Sequence, residues 1–113
     1  MAGLLPEREV QIKAIKKIGW SQEPIKINFA SRISALIFMW HVNDVDRTPD
    51  IAFCWRTDSG YCGIYNVCKT NTGKGIYLSD TTESFIVDGL SSPKLISIII
   101  LSGNPSDITY GDA

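Results

Sequence analysis

The chain has 113 residues, 44% of them hydrophobic and 20% charged, enough for one domain with its own core and too apolar for disorder. Its 11 basic and 12 acidic residues nearly cancel, so no overall field recommends nucleic acid or a membrane surface as partner. No apolar run approaches the ~20 residues that span a bilayer, and no basic start followed by an apolar stretch marks a secretory signal. With three cysteines and no glycosylation sequon, the expectation is free thiols in a reducing compartment.

Residues 1–9 hold Leu4, Leu5 and Pro6 but too few apolar positions for a core layer, so they are expected to form an N-terminal arm. The next stretch reads two ways. Pro6, Glu7 and Glu9, with Lys16, Lys17 and Gly19 further on, resemble helix punctuation. Val10, Ile12 and Ala14 alternate with Gln11 and Lys13, however, and β-branched residues dominate, which favours a strand. The basic cluster of Lys13, Lys16 and Lys17 reads as a solvated face or chain end.

From there the pattern is all strand. Ile25, Ile27 and Phe29 alternate with Lys26 and Asn28, as in a half-buried strand. Residues 33–42 are apolar on both faces and are expected to be central and covered. Ile51, Phe53 and Trp55 share one side of the next strand, with Ala52, Cys54 and Arg56 on the other. The Asp58-Ser59-Gly60 loop suits a hairpin into residues 61–69. Residues 76–79, 84–87 and 95–101 follow, and residues 108–110 suit a short last strand. Turn clusters roughly every ten residues separate these runs, the mark of a sandwich or barrel. The expectation is one domain over residues 1–113: an all-β, antiparallel two-layer sandwich of seven or eight strands, Greek-key or jelly-roll-like. Ile96, Ile98 and Ile100 point one way while Leu95, Ile99 and Leu101 point the other. Such a strand must lie deep in the sandwich or be sealed by a neighbouring subunit.

Candidate chemistry is thin. The spacing Cys54-x7-Cys62-x5-Cys68 lacks the paired short intervals of a zinc site. Cys62 and Cys68 are expected on one face, too far apart to bond. Cys54 and Cys62 flank the hairpin almost symmetrically, which leaves buried unreactive thiols, the favoured reading, or a disulfide between them. His41, the single histidine, reads as a polar residue near a strand end. Asp44, Asp46 and Asp50 resemble a calcium loop, but Pro49 stands where glycine is needed and Trp55 where a bidentate glutamate belongs. Gly73-Lys74-Gly75 fails the phosphate-loop pattern at both ends and reads as a hairpin loop. Core filling is the favoured reading of the aromatics, and Trp55, Tyr61 and Tyr65 around one hairpin are the alternative, a stacking patch for a ligand or partner. No catalytic residue, cofactor or metal is expected, and the protein is read as a non-enzyme.

Residues 71–113 run Thr-Gly-Lys-Gly-Ile-Tyr-Leu, then Ser-Phe-Ile-Val-Asp-Gly-Leu-Ser-Ser-Pro, then Leu-Ile-Ser-Ile-Ile-Ile-Leu-Ser-Gly, closing on Ile-Thr-Tyr. A long strand, a glycine bend and a short terminal strand resemble the small β-sandwich virion proteins of bacteriophages. Carbohydrate-binding sandwiches end in comparable ways. The virion resemblance implies an assembly role and transfers no functional residue. The expectation is a structural subunit, as in a capsid, tail or decoration layer, located in a virion or the cytoplasm and associating with copies of itself or other subunits. Leu4, Leu5 and Ile98 are the expected assembly contacts, and a glycan-binding module is the alternative.

Overall fold

The computed structural model describes residues 14–21, 23–41, 49–68, 75–89 and 93–113. The expected contacts Leu4 and Leu5, and the loop acids Asp44 and Asp46, lie outside the described residues. The described residues form nine strands: β1 (Ala14–Ser21), β2 (Ile25–Phe29), β3 (Ile33–His41), β4 (Asp50–Arg56), β5 (Cys62–Cys68), β6 (Ile76–Leu78), β7 (Ser84–Val87), β8 (Lys94–Ser102) and β9 (Ile108–Asp112). Among the described residues the helical content is one 3-10 turn, Pro105–Asp107.

The strands form two antiparallel sheets, one of five in the order β1-β8-β3-β4-β5 and one of four in the order β6-β7-β2-β9. The expected two-layer sandwich is therefore the fold, with nine strands because the ambiguous first stretch and the short last one both pair. Ala14 to Ser21 is a strand along β8, as the alternation favoured. β1 pairs with β8 and β2 with β7, so strands from early and late in the chain nest around those between, as in a jelly roll. β3, β4 and β5 instead run as a meander.

The core lies between the sheets and follows strand alternation closely. Ile25, Ile27 and Phe29 of β2 are buried, with Lys26 and Asn28 between them half-exposed. Ile33, Ala35, Ile37 and Met39 of β3 meet them from the five-stranded sheet, beside Ala52 and Cys54 of β4 and Ile96, Ile98 and Ile100 of β8. Phe29 of β2 and Phe85 of β7, on neighbouring strands of the four-stranded sheet, pack against each other in this core with ring centroids 4.9 Å apart. Such an aromatic pair contributes about 0.5–1.5 kcal/mol beyond its buried area.

Two expectations are corrected by this packing. β3 is central, between β8 and β4, but covered on its inner face alone: Leu36 and Phe38 are half-buried and Trp40 is 39% exposed. Ile98, expected as an assembly contact, is 0% exposed inside its own sandwich. The outward side of β8 is Leu95, Ser97, Ile99 and Leu101, all half-buried. A one-residue offset on a strand reverses the face, so Ile98 cannot serve both layers.

Polar groups close the ends of the sandwich. Arg56 points inward from the end of β4, and its Nη1 donates to the carbonyl oxygen of Phe29 in the opposite sheet. Lys94, at the start of β8, is fully buried and donates from Nζ to the carbonyl oxygen of Glu23 at 3.2 Å. Burial pulls its ammonium below the ordinary lysine value, while the nearby carboxylates of Asp88 and Glu23 pull the other way.

Candidate functional site

The outer face of the five-stranded sheet gathers most of the residues that the core does not use. Paired residues on neighbouring strands share a face, so the register reads across the sheet in rungs. One rung runs Tyr65–Phe53–Leu36–Ile99 across β5, β4, β3 and β8. A second brings Ile51, Phe38 and Ser97 together, and a third pairs Trp40 with Leu95. The outward positions of β3, β4 and β8 carry no charge at all. Among the described residues no element lies over this face.

At the hairpin end the rung changes character, to Gly63–Trp55–Ser34–Ser102. The Trp55 indole leans over Gly63: a Cβ built there would lie 2.2 Å from Trp55 Cζ2. Glycine is required by that approach, since any side chain would overlap the ring. Trp55 also stacks on Phe53, with centroids 5.4 Å apart and planes 30° from parallel. On the other side of the indole, the small side chains of Ser34 and Ser102 leave a recess of about 610 Å³. Arg32, Thr57, Asp58 and Ser59 complete its rim.

The hairpin that forms the rim is the expected one. Gly60 N–H donates to Thr57 O at 3.0 Å and Thr57 N–H to Tyr61 O at 2.9 Å. Gly60 sits at φ +90°, the left-handed position a three-residue hairpin loop needs and glycine tolerates. The Thr57 hydroxyl accepts from Tyr61 N–H at 3.2 Å and lies 2.9 Å from Ser59 Oγ, so the loop is internally bonded. Arg32 Nη1 reaches Asp58 Oδ2 at 3.8 Å, with both side chains more than 70% exposed.

Tyr61 and Tyr65 do not fill the core, the favoured reading of the aromatics, and the alternative patch with Trp55 does not gather around one point either. Trp55 lines the recess, Tyr65 stands opposite Phe53 on the apolar face, and Tyr61 follows the hairpin loop. Tyr61 and Tyr65 are each 67% exposed. Phe53, Leu36 and Ile99, which the expected site lacked, continue the face across β4, β3 and β8. Their outward direction was legible as alternation, but alternation does not say which side faces the other sheet.

The cysteines are free, as favoured, but their placement differs from the expectation. Cys54 stands opposite Ile64, and Cys62 opposite Arg56, so the two are offset along the hairpin rather than facing. Both point inward. A bulge between Ile51 and Ala52 breaks the period of β5, so Cys68 pairs with Ile51 of the outer face and does not share the face of Cys62. Burial pushes the Cys54 thiol far above its ordinary value, and Cys62 nearby adds to the shift. Burial also raises Cys62, against Arg56 and with Glu83. Both thiols stay protonated at neutral pH, which makes them poor nucleophiles. Of the acidic run, Asp50 is buried at the start of β4, its Oδ2 3.1 Å from where a Gly75 Cβ would be. His41 ends β3, opposite Lys94.

Comparison with family models, with curated proteins and with solved structures found no match to this chain. Among the described residues no helix is long and apolar enough to cross a membrane.

Proposed function

We propose that the protein is a non-enzymatic structural subunit of a protein assembly, docking on its neighbours through the outer face of the five-stranded sheet. One observation carries this reading: an uncharged apolar face on β3, β4 and β8, built from Leu36, Phe38, Trp40, Ile51, Phe53, Leu95, Ile99 and Leu101, which no described element covers. The three strands that carry it, at ~4.8 Å spacing and some seven residues each, present on the order of 300 Å², the size of the largest apolar patches that soluble monomers leave open. Two such faces stacked at ~10 Å would bury apolar surface as the two sheets of one sandwich do. The cadence of residues 71–113 supports a virion as the setting, in a capsid, tail or decoration layer, with copies of the chain or sister subunits as partners.

Light scattering behind size exclusion tests this directly. The wild-type chain is expected to exceed the monomer mass of 12.5 kDa at high micromolar concentration. The double variant Leu36→Lys, Ile99→Lys is expected to run as a monomer with its strand circular dichroism intact. A wild-type protein that stays at 12.5 kDa overturns the self-assembly reading. The second reading, a carbohydrate-binding module, is favoured by one observation of its own, the recess between the Trp55 indole and the serine pair.

A further inference from the structure

We infer that the Trp55 recess binds a carboxylate-bearing sugar residue, a hexuronate or a sialate, of an acidic glycan. The inference rests on the carbohydrate-binding reading and narrows its ligand class. A pyranose ring needs two kinds of surface, an aromatic plane for its C–H face and hydrogen-bonding groups for its hydroxyls. The rung Gly63–Trp55–Ser34–Ser102 supplies both. Gly63 lets the indole lean away from β3, and Ser34 and Ser102 put hydroxyls where the next rung puts Leu36 and Ile99. The cavity of about 610 Å³ is of the size that takes one or two sugar rings.

The charge of the lining selects among sugars. Arg32 brings a guanidinium to the rim beside the Asp58 carboxylate, and Arg56, which also lines the recess, turns its guanidinium into the sandwich. Arg56 is committed to the Phe29 carbonyl and holds the end of the sandwich. Arg32 is held only loosely by Asp58, at 3.8 Å between two well-exposed side chains. A ligand carboxylate beside the indole can take the planar fork of Arg32 with two parallel hydrogen bonds, a geometry that a neutral sugar hydroxyl does not match. The internally bonded Thr57–Ser59 loop keeps the rim in place without the ligand.

Calorimetric titration of the whole chain with 3′-sialyllactose and with a galacturonate trimer, each beside neutral lactose, tests the assignment. The acidic sugars are expected to bind at least about tenfold more tightly than lactose, the effect of one charge-assisted contact. Arg32→Ala, at an exposed position that the fold does not need, is expected to remove that preference. Ser34→Leu, which fills the recess, is expected to abolish binding of every sugar. Equal binding of acidic and neutral sugars overturns the acidic selection and leaves the carbohydrate-binding reading standing. No binding of any sugar overturns both. Acidic-sugar binding unchanged in Arg32→Ala and Ser34→Leu places the ligand elsewhere and overturns the assignment to this recess.

Discussion

Trp55 and Gly63 act as a pair: the indole occupies the volume that a side chain at position 63 would need. Gly63→Val is expected to force the ring off the sheet and to lower stability by about 1–3 kcal/mol, the usual range for overpacking. Urea unfolding measures the loss, and a red shift of tryptophan emission reports the displaced ring. The Cys54 thiol gives a second residue-scale prediction, through pH. Its folded value lies far above the ordinary thiol value of 9.0, so the unfolded chain releases the proton first as pH rises. The stability tied to the protonated thiol is complete below pH 9 and is lost progressively above it. Between pH 8 and 10 the wild type should lose about 1.4 kcal/mol more than Cys54→Ala, which has no thiol to titrate. Parallel unfolding curves of the two proteins over that range would contradict it. The comparison with Cys54→Ala removes Lys94 from the result, since its depressed ammonium titrates in both proteins with the opposite sign.

β8 shows what a strand can and cannot be asked to do. Its even-numbered isoleucines, Ile96, Ile98 and Ile100, are fully buried, while Leu95, Ile99 and Leu101 look outward and are half-buried by neighbours in their own sheet. Adjacent substitutions should therefore behave differently. Ile98→Asp places a charge in the core and is expected to unfold the protein, by more than about 4 kcal/mol. Ile99→Lys leaves the long side chain room to extend into water and is expected to keep the fold while weakening assembly. Circular dichroism separates the first effect and light scattering the second. A folded Ile98→Asp variant would mean that β8 is packed the other way round.

The two outer faces of the sandwich are unlike. That of the four-stranded sheet carries Lys26, Asn28, Thr109 and the exposed Tyr77 around a half-buried Ile86. That of the five-stranded sheet is apolar across β3, β4 and β8 but for Ser97, and turns polar at the Trp55 recess. Edges are managed separately: β6 has three residues, β5 carries a bulge, and β9 ends in Gly111 and Asp112, all devices against uncontrolled strand addition. Association through the apolar face should then behave as hydrophobic burial. Raising sodium chloride is expected to leave the assembly intact, ammonium sulfate to strengthen it, and cooling to loosen it. Dissociation by modest salt would instead point to ionic contacts, which the outward positions of β3, β4 and β8 do not offer.

The alternation of Ile25, Ile27 and Phe29, the turn clusters and the Asp58-Ser59-Gly60 loop made strands, hairpin and sandwich legible in the sequence, because strand period and turn stereochemistry are local properties. The same alternation separated Leu95, Ile99 and Leu101 from Ile96, Ile98 and Ile100 without saying which set is covered. Both sets are equally apolar, and only the arrival of the four-stranded sheet over one face decided that Ile98 is core and Ile99 is surface. Likewise the near-symmetry of Cys54 and Cys62 about the hairpin suggested facing thiols, and the register pairing Cys54 with Ile64 set them apart. Ser34 and Ser102 lie far apart in the chain and show no motif. They become the floor of a recess only because β3 sits between β4 and β8, a sheet order that no local pattern encodes.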